Sequence, residues 1–237
     1  MPSKFENRSN EPELMDDLNS SGQVIDQTLK ELEVINKWLG GNYVTTNGIS
    51  KLASNRKQTD SPLIIVDLGC GSGDMLKRIA RWGRKTKLKL QLIGIDANPN
   101  IIEWAKNNSK DYDEISYKCL NIFSDEFKNI KCDFITATLF THHFTDKELI
   151  QLLKQFRHQA KLGVVINDLH RHWFAFHSIK ILTSVFSKSA MVKYDAALSV
   201  LRSFRKKDLQ KILNESGCTQ YSLKWLWAFR WQLIIRF

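Results

Sequence analysis

Residues 66–74 read VDLGCGSGD and continue the apolar run LIIV at 63–66. An apolar run without alternation is the mark of a strand buried on both faces. Glycines at 69, 71 and 73 then mark a tight strand-to-helix turn. Such turns commonly hold a phosphate over the helix N-terminus. Here the glycines are bracketed by Asp67 and Asp74. Two carboxylates in a weakly screened turn repel a pyrophosphate. The third glycine also comes one residue earlier than in the dinucleotide fingerprint, and no Gly-Lys-Ser/Thr follows. The turn suits a ligand that carries positive charge and no phosphate.

Working outward, strands and helices alternate. LQLIGID, ISYKCLNIF, CDFITATLF and GVVINDL read as strands. DMLKRIARW, NPNIIEWAKNN and DKELIQLLKQFRHQA read as amphipathic helices between them. Pro99 sits at a first helical turn, and Thr145 or Asp146 caps the third helix. YSLKWLW and WQLIIRF close the chain as a hairpin. The pattern predicts an α/β, Rossmann-like, doubly wound and mostly parallel sheet of seven strands, with an antiparallel last strand. Ligands in such sheets bind beyond the carboxyl ends of the strands. That rule selects residues 67–74, 96–98, 121–122, 139–144 and 168–172.

The flanking segments divide the chain. Residues 1–22 are polar and read as a flexible tail. Residues 23–60 read as a helical cap, with Ile25, Leu29, Leu32, Ile35 and Leu39 at helical spacing, Gly40-Gly41 ending that helix, and a second helix from Val44 to Leu52. Residues 61–237 form the main domain, with a helical lid inserted at about 171–204. The net charge is +10, but residues 1–33 hold eight acids and three bases, or −5, leaving +15 on the remainder. A basic body keeps an RNA substrate open as an alternative. No apolar stretch approaches the roughly 20 residues of a membrane span. Four dispersed cysteines and no signal-peptide core lead to an expectation of reduced thiols in the cytoplasm. A homodimer is left open, and no metal site is expected.

S-adenosylmethionine is a ligand of the required kind, with a sulfonium, an ammonium and no phosphate. VDLGCGSGD resembles the first motif of the class I S-adenosylmethionine-dependent methyltransferases. LIGIDANP supports the resemblance, because Asp96 ends the second strand 23 residues beyond Gly73. The resemblance implies that Asp67, Gly69, Gly71 and Gly73 cradle the methionyl part and that Asp96 accepts the ribose hydroxyls. It implies that Ala97 and Asn98 flank the adenine and that Asn121 and Ile122 lie near its amine.

The acceptor side is less defined. After the fourth strand comes LFTHHFTD, which lacks the Asn/Asp-Pro-Pro-aromatic motif of nucleic-acid amino-methyltransferases and the Pro-Cys of carbon-5 enzymes. THHF is similar to small-molecule methyltransferases of the quinone-biosynthesis type, and DLHRHW resembles those of polyketide and phenolic-lipid pathways. His142 and His143 are therefore candidate bases, or alternatively helix-start and core residues. After the fifth strand, Asp168, His170, Arg171 and His172 are expected to cluster at the substrate, with His170 as a base and Arg171 paired to a carboxylate or phenolate, or alternatively to cap and solvate the next helix. The apolar lid suits an aromatic or acyl-chain substrate, methylated on oxygen or carbon. A cofactor-binding protein without turnover is the other alternative.

Overall fold

A computed structural model describes residues 4–54 and 61–237. Residues 55–60, part of the polar linker read before the first strand, lie outside the described residues.

The strands are β1 (Leu63–Leu68), β2 (Leu90–Asp96), β3 (Ile115–Cys119), β4 (Cys132–Thr138), β5 (Ala160–Leu169), β6 (Tyr221–Leu226) and β7 (Arg230–Arg236). They form one sheet in the order β3-β2-β1-β4-β5-β7-β6. β7 runs antiparallel to both neighbours, and the other pairs are parallel. The expected architecture is therefore present. β3 is shorter than its apolar pattern suggests. It stops at Cys119 because Ser124 caps the short helix α5 (Asp125–Lys128), and the chain must turn at Asn121 to reach that cap.

Both faces of β1 are buried, as its apolar run requires. Val66 and Leu68 pack in the core under α6 (Asp146–Gln159) and α9 (Lys206–Glu215). Leu63 and Ile65 pack with α2 (Gly41–Ala53) and α3 (Asp74–Thr86). α2 lies so close to the sheet that a methyl at Gly48 would sit 2.5 Å from Val165 Cγ1. Its first turn is tied down by Asn167, which donates to Gly41 O and Thr45 Oγ1. α6 begins with the expected cap: Thr145 and Glu148 bond each other's backbone amides reciprocally.

The cap contains α1 (Gln23–Trp38) followed by α2, and the lid contains α7 (Trp173–Phe186) and α8 (Ala190–Arg202). The described part of the N-terminal segment corrects the expectation of a flexible tail. Arg8 donates to Asp146, to Arg202 O and to Phe144 O, and the amides of Leu14 and Met15 donate to Asp195. Glu13 ends up buried. The acid-rich segment is thus held by the basic body that sequence charge had separated from it.

Candidate active site

The strand ends, α1, the N-terminal segment and the lid enclose one cavity of about 740 Å³. Its walls are largely apolar, and the glycine turn and the THH segment share it.

In the first half, β1 delivers the turn. Gly69, Gly71 and Gly73 all have positive φ, and two of them also need the space. A Cβ at Gly69 would lie 2.1 Å from the Phe140 ring, and one at Gly73 would lie 2.2 Å from Tyr117 Oη. Gly71 faces open space and donates its amide to Asp96 Oδ2 at 3.3 Å. Asp67 accepts from Thr136 Oγ1 at 2.6 Å. Burial pushes Asp67 up to about 7, and the neighbouring charges of Asp74 and Asp96 add to the shift. Burial also raises Asp74 and Asp96. Asp74 Oδ2 is buried with no hydrogen-bond partner. Three crowded carboxylates around an open backbone cradle fit a cationic, phosphate-free ligand such as S-adenosylmethionine. Ala97, Asn121 and Ile122 line the same cavity. Asn98 does not flank it as expected. It is buried as the cap of α4 (Pro99–Asn108), where its Oδ1 accepts from the amides of Asn100 and Ile101.

The second half brings together residues far apart in sequence. Thr141–His143 form a single 3-10 turn after β4, and His142 is 3% exposed. His142 Nδ1 lies 2.7 Å from Asp168 Oδ1. Asp168 also accepts from Thr141 Oγ1 and from the amides of His142 and Leu169, so its four bonds hold it rigidly. His142 Nε2 lies 3.4 Å from Glu13 Oε1, and neither atom has a hydrogen-bond partner among the described residues. Both residues are on the cavity wall. Burial opposes a charged imidazole, but Asp168 and Glu13 outweigh it and push His142 up to about 9. His142 correspondingly holds Asp168 below the usual carboxylate range despite burial. His143 also lines the cavity, with Nδ1 2.6 Å from Asp16 Oδ1. Arg202 completes the network by pairing with Asp16 at 2.6 Å.

The donor atoms of Glu13, His142 and His143 lie within 4.8 Å of one another, a spacing that one metal ion could bridge. The same spacing is accounted for by charge, since an imidazolium between Asp168 and Glu13 forms a closed ion-pair chain.

Two expected site residues lie elsewhere. Arg171 is 1% exposed and faces away from the cavity. Its guanidinium binds Asp208, Phe5 O, Glu6 O and Ser203 O, tying the N-terminal segment to the lid. His170 is a half-buried wall of a side cleft, where its Nδ1 accepts from Trp225 Nε1. Burial, with His172 and two arginines nearby, pulls it down to about 4. The split follows from where the strand ends: Asp168 bonds His142 from within β5, while the chain beyond Leu169 leaves the sheet and His170 keeps only an isolated bridge to Phe204. Glu13 and Arg230 are cavity residues that motif reading missed. The only sequence signal for Glu13 was the acid excess of residues 1–33.

Among the described residues, no helix is long and apolar enough to cross a membrane. Residues 65–163 match a family model described as a methyltransferase domain. Over 159 residues the chain is 27% identical to 2-phytyl-1,4-naphtoquinone methyltransferase of Nostoc sp., covering 65% of this chain and 66% of that protein. The chain spans under two thirds of the length of the curated relatives it matches. An O-methyltransferase family protein from Burkholderia thailandensis superposes with a TM-score of 0.67 at 14% identity, covering 97% of this chain and 65% of that one. A plantazolicin methyltransferase, solved with a triazolic desmethylPZN analog and SAH, superposes with a TM-score of 0.63 at 19% identity, covering 90% and 89%. Residues 65–163 thus match a methyltransferase domain, and the chain shares its fold with solved methyltransferases.

Proposed function

We propose that this chain transfers a methyl group from S-adenosylmethionine to an ionisable hydroxyl or enol of a small aromatic or polyketide-like molecule. The observation that carries the reading is His142, held between Asp168 and Glu13 on the wall of an apolar cavity shared with the glycine turn.

The bound cofactor supplies an electrophilic methyl on a sulfonium. Asp96 would accept the ribose hydroxyls, the open face of Gly71 would admit the methionyl chain, and Asp67 and Asp74 would face the positive charge. Asp168 accepts the Nδ1 proton of His142, so Nε2 is the nitrogen offered to the acceptor. A phenol has a pKa near 10, and His142 at about 9 makes proton removal nearly balanced. Glu13 and Asp168 then hold the imidazolium. Phe140, Phe144 and Leu182 supply apolar walls that exclude water and orient a ring. A buried, apolar acceptor pocket favours a small molecule over RNA.

The test is incubation of wild type and His142→Gln with methyl-labelled S-adenosylmethionine and a panel of phenols and cyclic β-diketones. Transfer by wild type that the variant loses supports the reading. Transfer to RNA alone, or none to any acceptor, overturns it.

A further inference from the structure

Arg230 is a cation without an assigned partner. It begins β7 beside Leu169 of β5, is 2% exposed, and forms part of the cavity wall. Among the described residues its guanidinium makes one hydrogen bond, from Nη2 to Asn36 Oδ1 at 3.1 Å, and Nε and Nη1 are buried without partners. Asp168 attracts it, but all four bonds accepted by that carboxylate come from other donors. Burial lowers the guanidinium to about 10. A buried charge left this incomplete is costly, and an unsatisfied buried donor calls for an explanation.

The fold makes room for the charge. A Cβ at Gly41 would lie 2.8 Å from Arg230 Nη2, so the guanidinium rests directly on that backbone. Gly41 opens α2, whose N-terminus carries the positive end of its dipole. A guanidinium on the cavity wall, with two unpartnered donors, therefore meets the N-terminus of α2. Bidentate recognition of a planar carboxylate suits that arrangement.

We propose that Arg230 is the anchor of an anion subsite that takes a carboxylate on the methyl acceptor. The subsite lies over β5 and β7, whereas the glycine turn follows β1, two strands away across β4. The carboxylate is therefore assigned to the acceptor rather than to the methionyl group. The acceptor class becomes an aromatic or cyclic enolic acid, with its carboxylate at Arg230 and an acidic hydroxyl toward His142. This assignment of class rests on the proposed function; the subsite itself is tested by binding alone.

Wild type, Arg230→Met and Arg230→Lys would be loaded with SAH and titrated with a 6-alkyl-2-hydroxybenzoate and with the matching 3-alkylphenol. Wild type is expected to favour the carboxylate by at least about tenfold, Arg230→Met to show no preference, and Arg230→Lys to fall between. Arg230→Met should melt no lower than wild type, because it removes an underpaired buried charge. Equal binding of both ligands by wild type overturns the proposal, as does a preference that survives in Arg230→Met. A drop in SAH affinity in Arg230→Met assigns the charge to the cofactor and also overturns it. Because these readouts need no turnover, carboxylate preference without methyl transfer would sink only the proposed reaction, and transfer without preference only the subsite.

Discussion

Asp168 Oδ1 lies 2.7 Å from His142 Nδ1, and this bond leaves the other ring nitrogen, Nε2, facing Glu13. Removing its charge while keeping its shape should disturb the tautomer more than the fold. Asp168→Asn is expected to lower kcat by roughly 10²–10⁴, as is His142→Gln, with cofactor affinity nearly unchanged. Steady-state kinetics alongside SAH calorimetry checks this, and full turnover in both variants would remove the base from His142.

A raised histidine sets the pH profile. If neutral His142 removes the acceptor proton, log kcat rises with unit slope up to about pH 9 and then levels. Glu13→Gln removes one of the two charges that raise this pKa, so the limb should move toward neutral pH. A limb that stays in place would show that Glu13 does not sense the imidazole.

The same shift predicts a stability slope. His142 is held at about 9 in the folded protein, against 6.5 when unfolded. Its protonation therefore favours folding fully below pH 6.5, and that contribution is lost as pH rises through about 9. Thermal melts of wild type should fall over this window, and those of His142→Gln should fall less.

Asp96 stands at the carboxyl end of β2, with Oδ2 receiving the Gly71 amide and Oδ1 the Asn98 amide. Asp96→Ala should weaken SAH binding by roughly 1.5–3 kcal/mol, about ten- to a hundredfold. Unchanged affinity by calorimetry would place the ribose elsewhere.

Arg171 and His170 should separate from the catalytic residues in mutagenesis. Arg171→Ala strands Asp208 and frees the N-terminal segment, at a cost of roughly 3–5 kcal/mol in stability. His170→Ala should leave kcat within about twofold, because the ring faces a side cleft. Chelation should likewise leave turnover intact. Loss with chelator and recovery with Zn²⁺ would make Glu13, His142 and His143 a metal centre instead.

The cofactor half was legible because its signals are local. LIIVDL, the GxGxG turn and Asp96 lie within one βαβ unit, where strand burial, positive φ and strand ends dictate both position and residue type. The succession of strands and helices along the chain and the Thr145 cap followed from the same short-range rules. The acceptor half was not legible, because its geometry depends on contacts between distant segments. DLHRHW read as a single cluster, yet Asp168 bonds His142 from within β5, while the chain leaves the strand after Leu169 and carries His170 and Arg171 outside the cavity. PELMDD read as part of a flexible tail, since no local pattern shows that Glu13 and Asp16 dock on His142, His143 and Arg202. Arg230 read as one residue of a hairpin. Only antiparallel pairing with β5 and the close approach of Gly41 turn it into a buried charge. The sequence by itself determined the strand and helix pattern and the glycine turn that follows β1. Tertiary structure alone decided which charges share the acceptor cavity, because their pairing is set by long-range packing.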